Sequence, residues 1–150
     1  LGRGAEAVAE VEKAMSLMPE SPLLQFNLAL ALAAAERRGE AQKVFSEMKA
    51  EAANGYVKPM FLGYAAVAAG EFDEAFDYFN QAVDEFDPWL VWLGTDRKLE
   101  PLHRDKRYLE LLKRTKNPLL KQFEQKLNEK KSIAVLPLQF IGEGEKDNAY

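Results

Sequence analysis

His103 is the only histidine in the 150 residues, and there is no cysteine at all. Those two facts remove much of the side-chain chemistry open to a protein. One imidazole cannot build a two-histidine metal site, and without thiols there are no disulfides, thiolate nucleophiles or cysteine-based zinc centres. The acid pairs Asp73-Glu74 and Asp84-Glu85 are the remaining acid–base candidates. Carboxylates of this kind on a helix face make a solvated charged surface far more often than a catalytic dyad. No glycine-rich phosphate loop, nucleophile elbow or paired histidine and carboxylate occurs. Trp89 and Trp92 could stack on a ligand, but covering the end of a helical array explains them better. The residues therefore support neither an enzyme nor a cofactor or metal.

Composition narrows the classes further. The chain has ordinary apolar content and a net charge of −4, which suits a folded domain, or a domain with part of another. The charge is uneven. Residues 1–90 hold 15 acids against 7 bases, and residues 91–150 hold 9 acids against 13 bases. Two differently charged solvated surfaces account for this; an anionic partner for the basic stretch Arg97 to Lys131 is the sharper alternative. The acidic body counts against nucleic acid as the main ligand. The longest apolar run, Leu28 to Ala35, falls well short of the ~20 residues that a membrane span requires. The chain opens on Leu1 with no signal-peptide pattern behind it, so it reads as an excised piece of a longer protein. Lack of cysteine leaves the compartment open, with cytoplasmic placement favoured.

The elements that must carry these residues are helical. Ala7, Val11, Ala14 and Met15 recur at helical spacing over residues 5–18. Ser21-Pro22 reads as a cap and first-turn proline for a helix over 22–37 that is apolar nearly all round. Gly39 marks a turn before a helix over 40–53, and Asn54-Gly55 another. Helices near 57–69 and 72–86 follow, parted by Gly70. These pieces repeat: Ala75 and Phe79 answer to Ala41 and Phe45, and those to Ala7 and Val11, each at a step of 34 residues. Leu62-Gly63 answers Leu28-Ala29 at the same step. Such a period marks helical-hairpin solenoids, in which small residues let paired helices approach and each hairpin buries its apolar face on the next.

Over residues 1–90 the chain resembles the tetratricopeptide repeat family, through Leu28, Ala29, Ala41 and Phe45, then Leu62, Gly63, Gly70, Ala75, Phe79 and Ala82. It departs from that family where Gln25 and Pro59 replace an aromatic, where Met48 replaces a small residue, and where the closing proline is displaced to Pro88. The resemblance implies an all-α superhelix with its repeats at 1–95: a partial repeat at 1–21 and full ones at 22–55 and 56–89. Capping helices at 96–131 resemble an extension found on bacterial tetratricopeptide regions, with the tryptophans and Tyr108 covering the last repeat and an amphipathic helix at 118–131. Residues 132–150 are expected to be the truncated start of a following α/β domain or an extended tail. Its run Ser132-Ile133-Ala134-Val135-Leu136-Pro137-Leu138 is similar to the opening strand of a TolB-like N-terminal α/β domain, a module of bacterial regulators, cyclases and kinases.

What the family resemblance implies for function is a non-catalytic scaffold that binds a protein or peptide in a concave groove, within a larger bacterial signalling or regulatory protein. The first helix of each hairpin would line that groove, with Leu23, Phe26, Asn27 and Leu30 from one repeat and Val57, Met60, Phe61 and Tyr64 from the next. Of these only Asn27 suits the family's clamp for a C-terminal carboxylate; Phe26 and Leu30 stand where that clamp needs Lys and Asn. Apolar or aromatic anchors are therefore favoured over a free carboxylate. A structural spacer or dimerising segment is the alternative. Association of two copies through the cut ends, near Val8 and Met15 and along the 133–136 strand edge, is a further expectation.

Overall fold

The computed structural model describes residues 2–132, and every regular element among them is helical. Five long helices come first: α1 (Gly2–Leu17), α2 (Pro22–Ala34), α3 (Arg38–Asn54), α4 (Pro59–Ala69) and α5 (Phe72–Asp84). Two short 3-10 turns follow, η1 (Pro88–Trp92) and η2 (Arg97–Leu102), then α6 (Lys106–Arg114). Residues 120–132 form a last helix, α7, which takes in Ser132. The expected strand and tail over 133–150 lie outside the described residues.

Proline at the first turn starts both α2 and α4, where its missing N–H costs nothing. The Ser21 side chain accepts no hydrogen bond; its carbonyl instead receives the amides of Leu24 and Gln25. Gly39 does not form the turn expected of it and lies inside α3. The chain reverses earlier, at Glu36, which sits in the left-handed region at φ 63°. There the Arg37 amide donates to Leu32 O and that of Glu36 to Ala33 O. Thirty-four residues on, Gly70 at φ 83° makes the same turn, with Glu71 N on Ala66 O and Gly70 N on Val67 O. These paired bonds close the helix ends by satisfying their last carbonyls.

Packing follows the small residues. α2 lies against α1, α3 and α4, and α4 lies against α2, α3 and α5. Ala29, Ala41, Ala75 and Ala82 are all fully covered. At Gly63 a methyl would stand 2.5 Å from the Phe79 ring, so no side chain fits between α4 and α5 there. Gly4 likewise admits the backbone of Ala35, at 2.8 Å from where its Cβ would be. Val8, expected to be uncovered, is buried against this junction.

The C-terminal part closes over α4 and α5. Tyr108 is buried, its hydroxyl donating to Leu93 O, and Leu99, Leu102, Leu111 and Leu112 complete the contact. Trp92 is 57 % exposed and takes no part in the closure expected of both tryptophans. The uneven charge is partly consumed here. Arg107 pairs with Asp73 at 2.7 Å and lies over the Phe76 ring, while Arg114 pairs with Asp84 at 2.6 Å and bonds Asn80.

Candidate functional site

Phe26 stands at the centre of the surface where a groove is expected. Its ring stacks on Phe61 at 5.0 Å and on Tyr64 at 5.3 Å, and Trp89 of η1 meets both Phe26 and Phe61 edge-on. This aromatic cluster fills the space between α2, α4 and η1. Phe26, Val57, Met60 and Tyr64 are buried, and a covered side chain has no surface to offer a partner. That corrects half of the expected lining. Leu23 is exposed, and Asn27, Leu30 and Phe61 are half-buried. Asn27 turns its amide back on the Leu23 carbonyl at 2.7 Å.

Tyr64 is anchored rather than displayed. Its hydroxyl donates to Asp96 Oδ2 at 2.7 Å, and Asp96 Oδ1 accepts the Lys98 amide. Burial, followed by the Asp96 hydrogen bond, pushes the phenol far above its ordinary value, so the group stays protonated. Burial does the same for Tyr108. Neither phenol is suited to proton transfer near neutrality.

The chemical candidates disperse. Among the described residues, no three His, Asp or Glu side chains come together as metal donors. The carboxylates of the two acid pairs go to separate partners: Asp73 to Arg107, Glu74 to Lys49, Asp84 to Arg114 and Glu85 to the Tyr56 hydroxyl. His103 packs on Tyr108 at 4.7 Å and Phe123 at 4.9 Å, and burial lowers its pKa from the usual value. Arg104, Lys126 and Lys130 share a hollow with it, of about 550 Å³.

What stays open is a cleft of about 470 Å³ between α1 and α2. Ala7, Val11 and Ala14 form one wall, Leu24, Asn27, Leu30, Ala31 and Ala34 the other, with Glu10 and Lys98 as its charged members. Compared with protein-family models, curated proteins and solved structures, the chain matches none. The chemistry of the cleft must therefore speak for itself. It is open and largely apolar, lined mainly by aliphatic side chains of two helices, and suited to receiving an apolar group. Asn27 and Leu30, expected to line a groove with residues of the next repeat, lie instead beside α1 in this cleft. The α1 wall was legible only as helix packing, since nothing in the spacing of Ala7, Val11 and Ala14 says which side of α1 stays uncovered.

A second hollow, of about 520 Å³, lies at the end of α5 among Val83, Phe86, Leu90, Val91 and Leu119. Phe86 is 87 % exposed there. No described helix is long and apolar enough to cross a membrane.

Proposed function

We propose that the chain is a non-catalytic protein-interaction module built from tetratricopeptide-type hairpins, and that it binds a protein partner through the α1–α2 cleft. The hairpin assignment is supported by the 34-residue spacing of two left-handed helix ends, at Glu36 and Gly70, which share a pair of backbone bonds that Phe86 and Lys116 also use at the ends of α5 and α6. It is supported also by the order of neighbours, in which α2 and α4 each touch their own hairpin partner and one another. The observation that carries the function is the open aliphatic cleft beside a filled aromatic cluster. Binding energy in such a site comes from one or two apolar anchors that enter it, with surrounding contacts excluding water. The dispersal of His103 and the acid pairs supports a module that holds a partner without transforming it.

The test is selection of ligands from a displayed library of protein fragments, each then mapped on the chain by NMR. Bound ligands should perturb Leu24, Asn27 and Leu30, and Leu30→Asp should abolish binding with little change in melting temperature. Failure to select any ligand, together with self-association of the free chain, would replace this function with a spacer or dimerising role.

A further inference from the structure

We infer that the α1–α2 cleft is a helix acceptor: its partner is a single α-helix of about the length of α2, bearing one bulky apolar anchor. This rests on the interaction-module reading and names the kind of partner. The molecule carries its own template for the complex. At a step of 34 residues, Ala7, Val11 and Ala14 of α1 correspond to Ala41, Phe45 and Met48 of α3, and Leu30 and Ala31 of α2 to Tyr64 and Ala65 of α4. In the downstream set all five are covered, none more than 2 % exposed. The element that lies against both α3 and α4 is α2, with Phe26 stacked on Tyr64. In the upstream set Ala31 is buried, but Ala7 is exposed, and Val11, Ala14 and Leu30 are only half-buried. The same surface is thus made twice and covered once, and a helix covers it.

Chemistry favours a helix over an extended peptide for the same place. The walls offer aliphatic side chains and no strand edge among the described residues. An extended segment would lay unpaired N–H and C=O groups over Ala7, Val11 and Ala14, which is costly. A helix satisfies its own backbone and presents only side chains. The anchor follows from size. Val11 and Ala14 stand where Phe45 and Met48 fill the downstream crevice, so the upstream one is deeper, and an incoming helix must bring a large apolar side chain to fill it. Glu10 and Lys98 are the cleft's charged members, so basic and acidic side chains flanking that anchor match it.

The probe is a synthetic peptide of residues 20–37, the α2 sequence, with the same peptide carrying Ala29→Pro as a form that cannot stay helical. Fluorescence anisotropy with the whole chain should show saturable 1:1 binding, at least about tenfold weaker for the proline form. In the chain, Ala14→Arg should weaken binding by at least about tenfold at unchanged circular dichroism, and Leu30→Glu serves the same purpose if the first variant misfolds. Equal binding of the proline peptide, binding untouched by both variants, or no binding would overturn the assignment. So would a dimer of the free chain that Ala14→Arg makes monomeric, because a second copy would then be the occupant. A chain that holds selected ligands at Leu24 and Leu30 yet ignores the helical peptide loses this inference alone.

Discussion

In the N-terminal half of the molecule none of the helices α2 to α5 receives a side-chain cap, whereas η1, η2 and α6 of the C-terminal half each begin with one. Ser21, Arg37, Lys58 and Glu71 occupy the cap positions of the first group without a side-chain bond to the helix. Asp87 accepts from Trp89 N, Asp96 from Lys98 N and Asp105 from Arg107 N, and Asn117 does the same for Leu119 N ahead of α7. The difference follows from length and burial. Helices of 11 to 17 residues that stack on two or three neighbours are held by the apolar area they lose to water. Turns of five or six residues bury too little for that, so local hydrogen bonds to the first amides set their geometry. The two halves are joined by the buried Leu99, Leu102, Leu111 and Leu112, by Trp89, by Tyr64 with Asp96, and by Arg107 and Arg114.

The contrast can be broken most directly at Phe79, fully buried between α4 and α5. Phe79→Ala should cost about 3–5 kcal/mol by chemical denaturation. A loss no larger than that of an aspartate cap would show that stacking is not what holds the hairpins. Next comes overpacking: Ala75, with no exposed surface, should tolerate nothing larger, and Ala75→Leu should cost about 1–3 kcal/mol. In the C-terminal half, Asp87→Ala should cost only about 1 kcal/mol, measured in the same way, with Asp87→Asn recovering most of it.

The joint between the halves has a pH signature. Tyr64 and Tyr108 both have their pKa raised on folding above the 10.0 of a free phenol. The stability tied to their protonated forms is complete below pH 10 and is lost as the pH climbs above it, because the unfolded chain then releases protons that the folded chain keeps. Melting temperature should fall across that alkaline window, less steeply in Tyr64→Phe, which itself forfeits about 1 kcal/mol at neutral pH. The smallest effect is a gain. Phe86 holds φ 55° at a helix end while 87 % exposed, so Phe86→Gly should stabilise by about 0.5–1 kcal/mol in thermal unfolding.

The helices themselves were legible because their apolar spacing is regular and prolines and glycines punctuate it. α1, α4 and α5 fall within a few residues of where the pattern puts them. The first hairpin turn was misplaced because its left-handed residue is Glu36, which carries no glycine signal, and Gly39 drew the boundary instead. The burial of Phe26 was not legible, because Trp89 arrives from more than 20 residues downstream to meet its ring, and no local pattern announces a contact so distant. The aspartates at 87, 96 and 105 could have been read as caps, since each precedes a short helix and aspartate is a favoured cap residue.

Of the eleven residues of α4, all but Phe61 are buried, including its first proline and its last alanine. A helix enclosed to that degree has no route by which its amides meet solvent through local opening. Deuterium should enter α4 only when the whole chain unfolds, while α1, with Gly4 and Val8 alone buried, exchanges through fraying that leaves the rest intact. The middle of the chain is therefore the last part to come apart, and α1 can loosen before it.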